Sequence, residues 1–210
     1  MDYHERSTPI FYIVTPHERL DVLRHSYLRT RAMELSRGKK EPETPAFIGM
    51  LGEFAVARVL GLDPCESFTI HEWSDGGVDL RHHHITISVK TRHNRFMRNG
   101  VEWDHAIISQ RPNKDLMIKD VSRSDYFVAT ALGCGKDYKC QCEKIMDRDY
   151  EHPVPVKIYG ARSTKDTIRM CSEGDFGQGT RWTINHDLLL PLSTLVENSV
   201  YHKAVIDLRK

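Results

Sequence analysis

The sequence predicts an α/β fold in which a mixed central sheet is flanked by helices. Helical spacing of apolar residues in two N-terminal stretches, strict alternation in one later segment and several short apolar runs all indicate this class. Apolar residues form 40% of the 210 residues and charged residues 28%, which fits a globular chain with one core and excludes a disordered one.

Two helices are expected before the sheet. Leu20, Leu23 and Leu28 recur at helical spacing within residues 18–35. In the second helix, Thr44 stands as the N-cap before Pro45, and Gly61 stands where a C-terminal cap belongs. We therefore expect an N-terminal helical extension over 1–44, an α/β domain over 45–200 and a C-terminal tail over 201–210.

Gly49 and Gly52 lie inside the second predicted helix, where glycine lowers helix propensity. Because glycine has no side chain, it lets another backbone come close. We expect both positions to permit the close approach of another backbone.

The central strand is predicted over residues 85–91. There Ile85, Ile87 and Val89 alternate with polar residues, the pattern of a half-buried strand. Further strands are expected at 68–72, 78–81, 125–130 and 154–159, a helix at 163–170, and closing segments at 181–185 and 188–195.

The formal net charge is only +1, so the whole chain is not a polycation. Its charge is nevertheless uneven, because residues 80–98 contain no acid. This basic stripe carries five cations, interspersed with histidines: Arg81, Lys90, Arg92, Arg95 and Arg98. Such a stripe can neutralise phosphates, although a solvated basic loop has the same composition.

Compartment and partners follow from what the sequence lacks. No run of about 18 apolar residues is present, and residues 1–10 carry acids instead of an apolar leader. An odd number of cysteines, five, favours a reducing compartment. We expect a cytoplasmic protein, or one in the host cytoplasm if the source is a virus, with no membrane partner.

The candidate chemistry centres on Asp79, Ser88 and Lys90. Ser88 and Lys90 are two residues apart, so their side chains leave the predicted strand on the same face. Asp79 precedes that strand, and Glu53 lies on the preceding helix. Carboxylates can hold a divalent cation, and the backbone carbonyl of Val89 is a further oxygen ligand. Lys90 would then activate or orient a water for phosphodiester hydrolysis.

The order of these motifs resembles the PD-(D/E)xK nuclease superfamily, whose core is a helix, a three-stranded meander, a helix and a strand. GMLGE at 49–53 resembles the first core helix with its glutamate, Glu53. GVDL at 77–80 matches the aspartate strand, and SVK at 88–90 stands where the family has (D/E)xK.

The resemblance extends loosely to residue 195. DYFVAT resembles the strand after the lysine, VKIYGARS a later strand leading into a helix, and TRWTINHDLLLPLSTL the terminal pattern of small, often phage-borne members. It implies a restriction-endonuclease-like core and a Mg²⁺- or Mn²⁺-dependent endodeoxyribonuclease. DNA would be the partner, Arg92, Arg95 and Arg98 would hold phosphates, and a homodimer would be one assembly.

Ser88 departs from the family pattern, because a hydroxyl replaces the second carboxylate and carries no charge. Glu53 is the expected substitute ligand, and Glu102 is a second candidate. The alternative is a non-catalytic DNA-binding or assembly protein on the same fold.

A separate cluster lies within the cysteine-containing insertion near 133–152. Cys134, Cys140 and Cys142, completed by His152 or Cys171, would form a tetrahedral structural zinc site. The C-x5-C-x-C spacing differs from paired CxxC knuckles, and free thiols in a reducing cell are the alternative. A third hypothesis follows, a zinc-stapled interaction module with a purely structural sheet.

Overall fold

The computed structural model describes residues 8–37, 43–64, 78–92, 105–132, 142–175 and 180–196. Within them the elements run in chain order as β1 (Ile10–Val14), α1 (Pro16–Arg37), α2 (Glu43–Val59), β2 (Leu80–His82), β3 (Ile85–Arg92), β4 (His105–Ser109), α3 (Lys114–Val121), β5 (Tyr126–Leu132), α4 (Cys142–Ile145), β6 (Val154–Ser163), α5 (Thr164–Met170), β7 (Ser172–Asp175), β8 (Thr180–Asn185) and a 3-10 turn (His186–Leu188).

These strands form two sheets. The larger has the order β1-β6-β5-β3-β2, and the smaller has the order β4-β8-β7. In the larger sheet β3 and β5 are parallel, and the other described pairs are antiparallel. The predicted mixed sheet with flanking helices is therefore confirmed.

Sequence signals explain where the first two helices begin and end. Thr15 and Glu18 form a capping box, in which the Thr15 N–H donates to Glu18 Oε2 over 3.0 Å. The second helix begins at Glu43, one residue before the expected cap. Gly61 follows its end at φ 72°, and the Leu62 N–H donates to the Ala57 carbonyl over 2.9 Å. That bond and the positive φ are typical of a glycine C-cap.

The larger sheet separates two apolar cores. We call the side that packs on α2 the first face; it carries Ile87 and Val89 of β3, Val128 of β5 and Ile158 of β6. The opposite side, the second face, carries Phe127 and Ala129 and packs against the smaller sheet and α3. The alternation predicted for residues 85–91 thus correctly predicted which side chains are buried on the first face.

Several elements were not predicted from the sequence. The strand β1 lies inside the expected N-terminal helical extension and pairs antiparallel with β6, so it forms one edge of the larger sheet. Its Val14 is fully buried, whereas Phe11 and Ile13 are exposed. β4, α3 and β7 were also missed. The strand expected at 68–72 lies outside the described residues.

Candidate active site

The hairpin of β2 and β3 determines where the candidate side chains point. Its strands pair in antiparallel register as far as Leu80 and Ile87. His83, in the turn that joins them, has φ 53°, a left-handed conformation that tight hairpin turns use. Because Ile87 faces α2, the alternating Ser88 and Lys90 extend from the second face, as the sequence predicts.

Asp79 lies where the pairing of β2 with β3 ends. Its N–H donates to the Ile87 carbonyl over 2.9 Å, and its Oδ2 accepts the Val89 N–H over 2.6 Å. Ser88 Oγ donates to the same oxygen over 3.2 Å. The carboxylate therefore occupies the edge of β3 beside Val89, and the Ser88 hydroxyl orients it.

Lys90 is half-buried on β3, opposite Ala129 of β5 in the parallel register. Within the described residues its ammonium makes no hydrogen bond or ion pair. Asp79 is hydrogen-bonded to Ser88, and Lys90 lies two residues further along the same face of β3, so the three residues share the stretch of β3 beyond its pairing with β2.

Glu53 approaches the sheet from the first face. The preceding residue, Gly52, presses against β3 and β5 so closely that a Cβ there would lie 1.9 Å from Thr91 Oγ1. Glu53 is only 5% exposed, and its Oε2 lies 3.1 Å from Nη1 of Arg29 on α1. The structure thus places Glu53 in an ion pair between two helices, apart from the face that carries Ser88 and Lys90.

The oxygen atoms around Asp79 suit a hard divalent cation. The carbonyls of every second residue of a strand point in the same direction, and the Ile87 carbonyl points towards β2. The Val89 carbonyl, two residues later, therefore points to the same edge as the Asp79 carboxylate. A single carboxylate with a carbonyl and waters is a donor set that Mg²⁺ uses. Among the described residues, no group of three or more His, Cys, Asp or Glu side chains is arranged to hold a metal.

Of the basic residues, Arg92 has an internal role. Its Nη1 donates to the His105 carbonyl over 3.2 Å and its Nη2 to the Tyr159 hydroxyl over 3.3 Å. It therefore connects the two sheets. Arg95, Arg98 and Glu102 lie outside the described residues.

The proposed zinc ligands are only partly described. Cys134 and Cys140 lie outside the described residues, and Cys142 begins the short helix α4. The ring of His152, which is exposed, packs edge-on against Tyr150 with centroids 5.5 Å apart. Cys171 is half-buried, its Sγ donates to the Ile168 carbonyl over 3.3 Å, and burial raises the pKa of its thiol. The zinc site stays a prediction.

The sequence analysis missed a group of residues on the second face, formed by Phe11, Lys157 and Tyr159. Lys157 Nζ lies 4.8 Å from the Tyr159 ring centroid and 5.8 Å from that of Phe11. The alternation of residues 154–159 was a signal for Lys157 and Tyr159, because it puts both on one side of a strand. The contribution of Phe11 depends on the pairing of β1 with β6, which no short motif specifies.

Comparisons with known proteins add no family to this geometry. No protein-family model, no curated protein and no solved structure matches the chain. In the part of the chain that the structure describes, no helix has both the length and the apolar character needed to span a membrane.

Proposed function

We propose that this chain is a divalent-metal-dependent endodeoxyribonuclease with its active site at the edge of β3. The observation that carries the proposal is the placement of Asp79, Ser88 and Lys90, with the Asp79 carboxylate beside Val89 and Lys90 on the same face as Ser88. The parallel pairing of β3 with β5 and the restriction-endonuclease-like order of motifs are consistent with it.

Asp79 and the Val89 carbonyl would hold Mg²⁺ or Mn²⁺, and Ser88 would keep the carboxylate oriented through its hydrogen bond. When bound, such an ion supplies charge neutralisation and a more acidic water. Lys90 would place a cation where the phosphate and the attacking water lie. In the reaction the water oxygen bonds to phosphorus, the bond to one ester oxygen breaks, and that oxygen leaves with a proton.

The direct test is a cleavage assay with purified protein. Linear, circular, branched and single-stranded DNA would be incubated with Mg²⁺ or Mn²⁺, with a chelator as the blank. We expect cleavage by the wild type and a loss of roughly a hundredfold or more in Asp79→Asn and Lys90→Met. Lys119→Met, which removes an exposed lysine from α3, is the matched control and should cut as the wild type does.

Full activity in Lys90→Met would reject its assigned role. Cleavage that persists with chelator would reject the metal requirement. Equal loss in Lys119→Met would show that the assay reports on general charge instead of the site.

A second candidate, a non-catalytic DNA-binding or assembly protein, is favoured by the ion pair of Glu53 with Arg29. This pair leaves Asp79 as the carboxylate placed on the edge of β3. The two candidates predict different results for the wild type: binding without cleavage in every metal supports the second, and metal-dependent cleavage removes it.

A further inference from the structure

Four residues form a row across the larger sheet. Arg92 of β3 is the register partner of Ala131 on β5, Ala131 pairs with Lys157 on β6, and Lys157 pairs with Phe11 on β1. Ala131 belongs to the core on the second face, so all four side chains project from that face. Lys90 lies on the same face, two residues before Arg92.

Tyr159, two residues after Lys157 on the same face of β6, adds a second ring beside this row. The centroid of the Tyr159 ring is 6.0 Å from Arg92 Cζ and 4.8 Å from Lys157 Nζ. On its other side Lys157 approaches Phe11. His186 stacks on Tyr159 with centroids 3.7 Å apart and planes at 16°. We call Arg92, Tyr159, Lys157 and Phe11 the stacking row.

A β-bulge lies at Tyr159. The register with β5 passes from Ala129–Gly160 to Thr130–Ile158, so Tyr159 is the extra residue on β6. Gly160 has φ 143°, which glycine tolerates and other residues rarely adopt. Bulges re-aim side chains in this way beside functional sites.

The far end of the row is open to solvent. Phe11 is 62% exposed, and Ile13, two residues along the same face of β1, is exposed as well. Single exposed apolar residues need no explanation. Here, however, the exposed ring adjoins a second apolar residue and a lysine that already contacts two rings, which is the composition of a surface for stacking on a polyanion.

We propose that the stacking row binds single-stranded nucleic acid, with an unpaired base on Phe11 and phosphates at Lys157 and Lys90. Phe11 on β1 and Arg92 on β3 lie three inter-strand spacings apart, roughly 14 Å. Base stacking requires an exposed π-face, which an unpaired base offers and a base inside a duplex does not. The assignment of the Lys90 end as the place of cleavage rests on the proposed nuclease function.

The test measures binding without cleavage. A fluorescein-labelled dT oligonucleotide and a blunt duplex of equal length would be titrated with the full chain in EDTA, by fluorescence anisotropy. Phe11→Leu keeps an apolar side chain but removes the ring. Tyr27→Leu, at an aromatic residue of α1 that is 55% exposed, is its matched control. Lys157→Gln is paired with Lys165→Gln, an exposed lysine on α5.

We expect Phe11→Leu and Lys157→Gln to weaken single-strand binding roughly tenfold and the controls to bind as the wild type does. Unchanged single-strand affinity in Phe11→Leu overturns the proposal. An equal loss of affinity for duplex and single strand also overturns it. So does a lower molecular mass for Phe11→Leu than for the wild type on light scattering, because β1 would then be a contact between copies of the chain. Binding that depends on Phe11 without any metal-dependent cleavage supports the stacking row and rejects the nuclease.

Discussion

Arg29 and Glu53 form an ion pair between α1 and α2, with Nη1 of Arg29 3.1 Å from Oε2 of Glu53. Glu53 is the more deeply buried partner. A buried carboxylate is stable in its charged form when a cation accompanies it. The pair therefore ties the predicted metal ligand to the packing of the two helices.

Replacing Arg29 by Met should destabilise the protein by about 2 kcal/mol, because it removes a cation from a buried carboxylate; the partial exposure of Arg29 keeps the loss below that of a fully buried pair. Urea unfolding gives the measurement. Arg24→Met, at an exposed arginine of the same helix, should unfold at the wild-type midpoint. Equal stability of Arg29→Met and the wild type would contradict the importance of the pair.

The two glycines of α2 give a second matched pair. A Cβ on Gly52 would lie 1.9 Å from Thr91 Oγ1 and 2.6 Å from Thr130 Oγ1, whereas one on Gly49 would meet, among the described residues, Glu53 Oε1 alone, at 3.9 Å. We expect Gly52→Ala to destabilise by about 2 kcal/mol through overpacking. Gly49→Ala should be neutral or stabilising by about 0.5 kcal/mol through helix propensity. Thermal unfolding distinguishes them, and the reverse order would show that α2 sits differently on β3.

These two glycines show which contacts could be predicted from the sequence. The prediction that Gly52 permits close approach is confirmed, because Thr91 and Thr130 of the sheet pack where a Cβ would stand. Gly49 also meets the sheet, because Thr91 Oγ1 donates to its carbonyl over 3.3 Å, but among the described residues space for a Cβ remains there. Which of two glycines would clash through an added Cβ depends on the rotation of the helix, and the helical repeat alone does not specify that rotation.

The same distinction separates the predicted from the missed parts of the site. Ser88 and Lys90 lie on the same face because side chains alternate along a strand, so their shared face was predictable. The pairing of Glu53 with Arg29 joins residues on two helices. The row from Arg92 to Phe11 depends on the registers of three strand pairs. Such contacts depend on tertiary packing, which overrides what neighbouring residues indicate.

Two substitutions of Asp79 should distinguish its structural role from its chemical role. Its Oδ2 accepts the Val89 N–H over 2.6 Å. The amide oxygen of Asp79→Asn can accept the same bond, whereas Asp79→Ala leaves the N–H without this partner. We expect Asp79→Asn to keep near wild-type stability and lose cleavage, and Asp79→Ala to lose cleavage and about 1–2 kcal/mol of stability. Unfolding and cleavage would be measured on the same preparations, and full cleavage by Asp79→Asn would remove Asp79 as a metal ligand.

His82 should make stability fall in acid. It is 7% exposed, and within the described residues neither ring nitrogen has a hydrogen-bond partner. Burial, and secondarily the nearby His83, lower its pKa below the ordinary 6.5. Above pH 6.5 the ring is neutral in the folded and unfolded chain, so it contributes no pH dependence. Below 6.5 the unfolded chain binds a proton that the fold resists, so stability decreases until the folded pKa is reached.

His82→Leu should remove that part of the decrease and raise stability at pH 7 by about 1–2 kcal/mol, because two unsatisfied buried nitrogens are lost. His84→Leu, at the exposed neighbouring position of the turn, is the matched control and should keep the wild-type slope. Urea midpoints would be compared for the three proteins over a range from about one pH unit above to about one and a half units below the ordinary histidine pKa. Parallel curves for His82→Leu and the wild type would show that other groups cause the acid sensitivity, since a buried neutral histidine must otherwise oppose protonation.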